Sequence, residues 1–116
     1  MKSLIYGYNK TGKSFERYLK KNNQLDFEIY DLNNFKYNKK YDLKSFDQIL
    51  CSPGVPKKVF CEIKQENKNV LTDIDIFFKV DTSIKIGITG TNRKSTTSYH
   101  LHQLFNNYSP TNLIGN

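Results

Sequence analysis

The stretch Ser3-Leu4-Ile5-Tyr6-Gly7-Tyr8-Asn9-Lys10-Thr11-Gly12-Lys13-Ser14 decides the fold of this chain. Its first residues have the character of a short buried strand that ends at Gly7, and apolar residues at helical spacing predict a helix from about Thr11 to Lys21. A strand that enters a helix through a short glycine-containing turn is typical of α/β proteins. The stretch therefore predicts a parallel sheet with flanking helices.

The glycines of this stretch are open to more than one interpretation. In the opening turn of a Rossmann-type unit, Gly7 would make the tight turn and Gly12 would let the helix pack closely on the strand. The same residues also satisfy G-x-x-x-x-G-K-S, the pattern of a mononucleotide P-loop. A purely structural turn is the third interpretation. Asp31 favours the first, because an acidic residue after the second strand typically meets a ribose or base.

The residues up to about 80 continue the alternation of strands and helices. Strands are predicted over 27–30, 46–51 and 69–72, and helices over about 57–66 and 74–80. Ser52-Pro53-Gly54 ends the third strand at the same sheet edge as the Gly7 turn, where ligands of open α/β sheets bind. Asp73 and Asp75 are interpreted as solvated or helix-capping residues rather than as a catalytic pair.

A second phosphate-type loop, Gly90 to Thr96, lies between a predicted strand over 84–89 and a predicted helix over 94–107. Inward-pointing N–H groups, a helix N-terminus, a lysine and a hydroxyl are how proteins hold nucleotide phosphates and Mg²⁺. Arg93 stands where such loops normally have a glycine. If that position needs a positive φ, a non-glycine residue there costs about 1–2 kcal/mol.

The segment after residue 81 has the pattern of an incomplete domain. A further strand is predicted to start over 111–114, and a boundary is expected near Asp81-Thr82-Ser83. The predicted domains are 1–81, a Rossmann-like unit, and 82–116, the first strand, loop and helix of a second α/β domain. The last helix carries an apolar face that is expected to need a partner, its own domain or a second copy: Thr97, Leu101, Leu104 and Phe105.

The composition of the chain indicates which partners and which cell compartment the protein suits. The 116 residues carry a net charge of +7, but the lysines are scattered and arginine is scarce, so we predict no nucleic-acid partner. No apolar run approaches the roughly 18 residues of a membrane span. Cys51 and Cys61 form no C-x-x-C motif and suit a reduced, cytosolic protein. His100 and His102 lack the spacing of metal ligands.

Taken in order, these motifs resemble the Mur ligase family. The resemblance consists of the glycine turn after the first strand, Asp31 after the second, Cys-Ser-Pro-Gly after the third, Thr-Asp-Ile-Asp-Ile-Phe-Phe, and Gly-Ile-Thr-Gly-Thr-Asn-x-Lys-Ser-Thr-Thr. It covers essentially the whole chain. The Gly7 turn and Ser52-Pro53-Gly54 narrow it to the branch of the family that adds D-glutamate.

The resemblance implies two binding sites. In the first domain, the amides of Lys10 and Thr11 would face the diphosphate of a UDP-linked substrate. Asp31, with Leu32 and Asn33 beside it, would flank the uracil, and Ser52 and Gly54 would line the same cleft. Asn116 would meet the UDP-sugar from the second domain. The ATP site would be Gly90, Thr91, Asn92, Arg93, Lys94, Ser95 and Thr96. Lys94 would contact the β- and γ-phosphates, and Ser95 would bind Mg²⁺.

The resemblance also implies a reaction. Family members use ATP to phosphorylate a substrate carboxylate, and an amino acid amine then attacks the acyl phosphate. The chain is thus expected to be the N-terminal fragment of a cytoplasmic ligase that adds D-glutamate to UDP-N-acetylmuramoyl-L-alanine in peptidoglycan synthesis. The family's metal-binding glutamate and histidine, its carbamylated lysine and its C-terminal domain would lie beyond Asn116. The fragment alone is therefore expected to be inactive and to hold no catalytic residue. The alternative is a non-enzymatic Rossmann-like module that binds a nucleotide or nucleotide sugar.

Overall fold

The computed structural model of the chain describes residues 1–114. Its internal contacts divide the chain into two compact units, Met1–Thr82 and a second that begins at Ser83. Within the described residues, no helix is long and apolar enough to cross a membrane. The two units differ in kind, so each is described by itself.

The first unit is a four-stranded parallel sheet in the order β2-β1-β3-β4. Its strands are β1 (Ser3–Tyr6), β2 (Phe27–Tyr30), β3 (Gln48–Cys51) and β4 (Val70–Leu71). The helices between and after them are α1 (Lys10–Lys21), α2 (Lys57–Glu66) and α3 (Asp73–Val80). A short 3-10 turn spans Leu43–Ser45. The predicted Rossmann-like arrangement of parallel strands and flanking helices is confirmed.

The two central strands carry the core on both faces of the sheet. Successive side chains of a strand point to opposite faces, and Leu4 and Ile5 accordingly belong to separate clusters. Leu4 packs with Ile63 of α2. Ile5 packs with Phe15 of α1 and Ile76 of α3. Helices therefore cover both faces, as an all-parallel sheet requires.

The segment Thr72–Asp75 is a helix cap. The Thr72 side chain accepts a hydrogen bond from the Asp75 amide, and the Asp75 carboxylate accepts one from the Thr72 amide at 2.8 Å. This reciprocal pair is a capping box, which satisfies amides that the first helical turn leaves open. The interpretation of Asp75 as a helix-capping residue is confirmed.

The second unit contains one regular element among its described residues, helix α4 (Lys94–Asn106). The predicted strands over 84–89 and 111–114 are wrong, because the only sheet among the described residues consists of β1 to β4. A strand exists only beside a neighbour that takes its backbone hydrogen bonds, and residues 83–114 supply none to each other. Ile84 is 96% exposed, and no residue of α4 is buried.

Candidate functional site

A cleft of about 230 Å³ opens at the carboxyl edge of the sheet. Its walls come from the β1–α1 turn, from the segment after β2, and from the segment between β3 and α2. The cleft brings together most of the residues that the sequence predicted to contact the UDP part of a substrate: Lys10, Thr11, Asp31, Asn33, Ser52 and Gly54. Leu32 is not among its described lining residues and is 67% exposed. Asn116 lies outside the described residues.

The turn Gly7–Asn9 between β1 and α1 depends on its glycines. Gly7 has a φ of +91°, a backbone conformation that residues with a side chain rarely adopt. A Cβ atom on Gly12 would lie 2.1 Å from the Gly7 carbonyl oxygen, so only glycine lets the helix approach the turn this closely. The sequence-based roles of both residues, tight turn and close packing, are confirmed.

The P-loop interpretation of the same stretch is wrong. Helix α1 begins at Lys10, before the Gly-Lys-Ser triplet, so Lys13 and Ser14 lie inside the helix. The Ser14 hydroxyl donates to the Lys10 carbonyl at 3.2 Å. Neither Lys13 nor Ser14 is among the described residues that line the cleft. A P-loop needs its lysine and its hydroxyl on the phosphates and the metal, and this placement inside the helix does not supply them.

Helix N-termini give the cleft its electrostatic character. At the start of α1, the Asn9 side chain makes no capping hydrogen bond and the first turn has no acidic residue. The same two statements hold for the start of α2, whose N-cap is Pro56. The first turn of a helix leaves amides without intrahelical partners, and the helix dipole favours anions there. Asn9, Lys10, Thr11 and Pro56 all line the cleft, which therefore suits an anionic ligand.

The cleft also has apolar lining residues. Tyr6, Val55, Pro56 and Val59 line it, and the ring of Tyr6 lies 4.6 Å from that of Tyr30, centroid to centroid. Burial, followed by the neighbouring Tyr30, raises the pKa of Tyr6 to about 12, so its hydroxyl stays protonated at neutral pH. An apolar wall beside an anion-binding edge suits a ligand with a ring at one end and phosphate at the other.

Side chains from both strands next to β1 hold the turn in place. Asp31, 7% exposed, accepts the Tyr8 amide at 2.7 Å through Oδ2 and the Asn33 amide at 2.8 Å through Oδ1. Ser52, which is equally buried, donates its hydroxyl to the Gly7 carbonyl at 2.8 Å. Both side chains were predicted as ligand contacts. In the structure their polar atoms are bonded to the backbone of the cleft itself.

Sequence reasoning missed the role of Tyr8. Its hydroxyl donates to Glu16, whose other oxygen pairs with Lys20 at 2.7 Å. The hydrogen bond to Glu16, more than burial, raises the pKa of Tyr8 to about 12. Its ring also meets that of Tyr37 edge-on, at 4.9 Å between centroids. Tyr8 and Glu16 lie eight positions apart, beyond the three or four of helical neighbours, so periodicity gave no signal for this contact.

The second phosphate-type loop is exposed. Residues 90–96 are all exposed, and α4 begins at Lys94 with Arg93 as its N-cap. Arg93 has a φ of 60° in the left-handed region, and Gly90 a φ of +148°. The prediction that an arginine here occupies a positive-φ position is confirmed. Within residues 1–114, no group of three or more His, Cys, Asp or Glu side chains could hold a metal ion. ATP binding at Gly90–Thr96 and Mg²⁺ binding at Ser95 stay predictions.

Comparisons with known proteins agree with the motifs. The chain is 38% identical over 100 residues to the UDP-N-acetylmuramoylalanine–D-glutamate ligase of Francisella tularensis subsp. tularensis, strain SCHU S4, and equally to that of subsp. novicida, strain U112. Each match covers 82% of this chain and 24% of the relative, so the chain spans about a quarter of the proteins it matches. No family model and no solved structure matches. The resemblance to the D-glutamate-adding branch of the Mur ligases is confirmed.

Proposed function

We propose that the chain is the N-terminal part of a ligase that uses ATP to add D-glutamate to UDP-N-acetylmuramoyl-L-alanine, and that its cleft binds the UDP part of that substrate. One observation carries the proposal. Positions that the resemblance assigns to UDP come from separate segments of the chain, yet they line a single cleft at an open helix N-terminus. The similarity to D-glutamate ligases supplies the chemistry.

In the proposed complex, the diphosphate lies at the start of α1. The amides of Lys10 and Thr11 donate to it, and the Lys10 ammonium offsets part of its charge. The uracil and ribose rest near Asn33 and against the apolar wall that Tyr6 and Val59 form. Apolar lining residues beside helix amides without intrahelical partners favour this ligand class over a simple anion.

The second unit has a different proposed role. We infer that residues 82–116 begin the ATP-binding domain and that 1–81 form the UDP-substrate domain. Lys94 would hold the β- and γ-phosphates, and the Ser95 hydroxyl would bind Mg²⁺. Lys94 and Ser95 follow Arg93, a positive-φ residue, at a helix N-terminus that has no side-chain cap. Such an N-terminus suits a phosphate group, although the Arg93 side chain would crowd that group. Bound ATP would supply the phosphoryl group that activates a carboxylate. The proposed ligase is cytoplasmic, which agrees with free Cys51 and Cys61.

The alternative, a binding module without ligase activity, also has an observation in its favour. Helix α4 has no buried residue, and residues 83–114 contain no strand. We therefore expect the chain of 116 residues by itself to show no ATP-dependent phosphate release with UDP-N-acetylmuramoyl-L-alanine and D-glutamate. Phosphate release above a buffer control would contradict that expectation.

A titration of the isotope-labelled chain tests the proposed UDP site. Adding UDP should shift the amide resonances of Lys10, Thr11 and Asn33, with an affinity of about 0.1–1 mM, or roughly 4–6 kcal/mol. Lys10→Met should weaken binding. Lys21→Met, at the other end of the same helix, changes the net charge equally and should not. Shifts confined to residues outside the cleft, or equal losses in the two variants, would overturn the proposal.

A further inference from the structure

We propose that Asp31 is a positioning residue: it holds the Gly7–Asn9 turn in the shape that receives phosphate, and it does not contact the nucleotide base. This inference rests on the proposed function, because it concerns the same cleft. It departs from the role that the family resemblance gives to Asp31, which is to flank the uracil.

The hydrogen bonds of the carboxylate are the first step. Oδ2 accepts the Tyr8 amide at 2.7 Å and Oδ1 accepts the Asn33 amide at 2.8 Å. Hydrogen bonds from amides to a carboxylate are stronger than neutral ones. Each oxygen of the carboxylate thus accepts one backbone amide, and 7% of the residue is exposed at the cleft that it lines. Asp31 therefore acts on the protein backbone.

The position of Tyr8 is the second step. Gly7, which precedes it, is fixed by its amide to the Tyr30 carbonyl at 2.8 Å and by its carbonyl to the Ser52 hydroxyl at 2.8 Å. Asn9, which follows it, is the N-cap of α1. The Tyr8 amide lies between these two points, and Asp31 is its hydrogen-bond acceptor. Loss of that acceptor frees the peptide that sets the direction of the first helical amides.

The charge of Asp31 is the third step. Three possible roles of this residue predict different changes in ligand affinity when the charge is removed. A carboxylate beside a phosphate site repels the ligand. If repulsion dominated, the neutral isostere Asp31→Asn would bind anions more tightly. If Asp31 contacted the base, the substitution would weaken UDP and leave pyrophosphate unchanged. If Asp31 positions the turn, it weakens both ligands by a similar factor, because one amide loses its acceptor.

The experiment measures three quantities on the full chain and on Asp31→Asn: the affinity for UDP, the affinity for inorganic pyrophosphate, and the exchange rate of the Tyr8 amide without ligand. We expect both affinities to fall about tenfold and exchange to accelerate. Asp47→Asn is the matched control. Asp47 accepts the Lys2 amide at 2.6 Å, at the other end of the sheet, and its loss should leave both affinities unchanged.

Each other result overturns the inference. Loss confined to UDP would show base contact, tighter pyrophosphate binding would show repulsion, and unchanged exchange at Tyr8 would show that the turn does not depend on Asp31. If the unsubstituted chain binds neither ligand, the proposed function fails, yet the exchange measurement still tests the hold on Tyr8. Should Asp31→Asn not fold, Asp31→Glu keeps the charge but displaces the oxygens, and it should give the same three changes.

Discussion

Two loops of this chain resemble each other in sequence and differ in their surroundings. The Gly7 turn and the Gly90 loop each follow an apolar run, contain glycine and precede a helix with a nearby Lys-Ser pair. The first is held by Asp31, Ser52 and the sheet. The second is exposed throughout, and α4 behind it has no buried residue. A phosphate-type motif thus becomes a shaped site only where neighbouring strands fix its backbone.

The largest expected difference between the two units is their response to substitution of a glycine. Gly12→Ala should destabilise the first unit by about 3 kcal/mol, the upper part of the usual range for overpacking, because the new Cβ would meet the Gly7 carbonyl oxygen. Gly87→Ala is the matched control, since nothing lies within 4 Å of its added Cβ. Its effect should stay within about 0.5 kcal/mol.

Urea unfolding followed by circular dichroism measures both variants of that pair. Equal stabilities for Gly12→Ala and the parent chain would show that the helix can move away from the turn at no cost. The comparison between a fixed turn and an open loop would then lose its structural basis.

The next difference concerns Arg93. Because Arg93 occupies the left-handed region, Arg93→Gly should stabilise the start of α4 by about 1 kcal/mol. It should also open the loop, so that weak binding of pyrophosphate or ATP becomes measurable there without any catalysis. Amide exchange over Lys94–Thr97 and a calorimetric titration test the two parts. If the substitution leaves both unchanged, the Arg93 side chain is not what limits phosphate binding at the exposed loop.

The exposed apolar side chains of helix α4 lead us to expect weak self-association of the chain. Leu104 is 52% exposed and Phe105 is 40% exposed, on the face that the sequence predicted to need a partner. Analytical ultracentrifugation should show a mass that rises with concentration, and Phe105→Glu should abolish the rise. Tyr41→Glu, which disturbs an aromatic pair of the first unit, should leave the rise of mass with concentration in place. A strictly monomeric parent chain at millimolar concentration would refute the prediction.

The same contrast explains what could be predicted from sequence. Strand β1, helix α1 and the roles of Gly7 and Gly12 followed from an apolar run, helical spacing and steric need, all of which are local. The strands over 84–89 and 111–114 failed because apolar character does not supply a pairing partner. The side chain of Asp31 was assigned to a ligand because sequence does not tell which backbone amides come to lie beside a carboxylate.

The smallest expected difference is the response to acid. The hydrogen bond from Lys20, and then that from Tyr8, hold the pKa of Glu16 below its usual value, and the Thr72 amide does the same for Asp75. A depressed pKa in the folded state adds stability above the unfolded pKa of about 4.3 for glutamate, and that stability is lost as the pH falls through the folded pKa. The sequence after Thr82 contains no aspartate or glutamate, so protonation of a side-chain carboxylate cannot weaken α4 from within.

Between pH 6 and pH 3 we therefore expect the free energy of unfolding of the first unit to fall by a few tenths to about 1 kcal/mol through Glu16, a partly exposed group. Over the same range, the amide exchange of α4 should change only by its intrinsic pH dependence. Glu16→Gln should flatten that part of the profile, and Glu66→Gln, a more exposed partner of Lys44, should leave it in place. A parallel loss of protection in α4 would mean that its helix depends on the first unit after all, and the two loops would then have to be treated as parts of one cooperative structure.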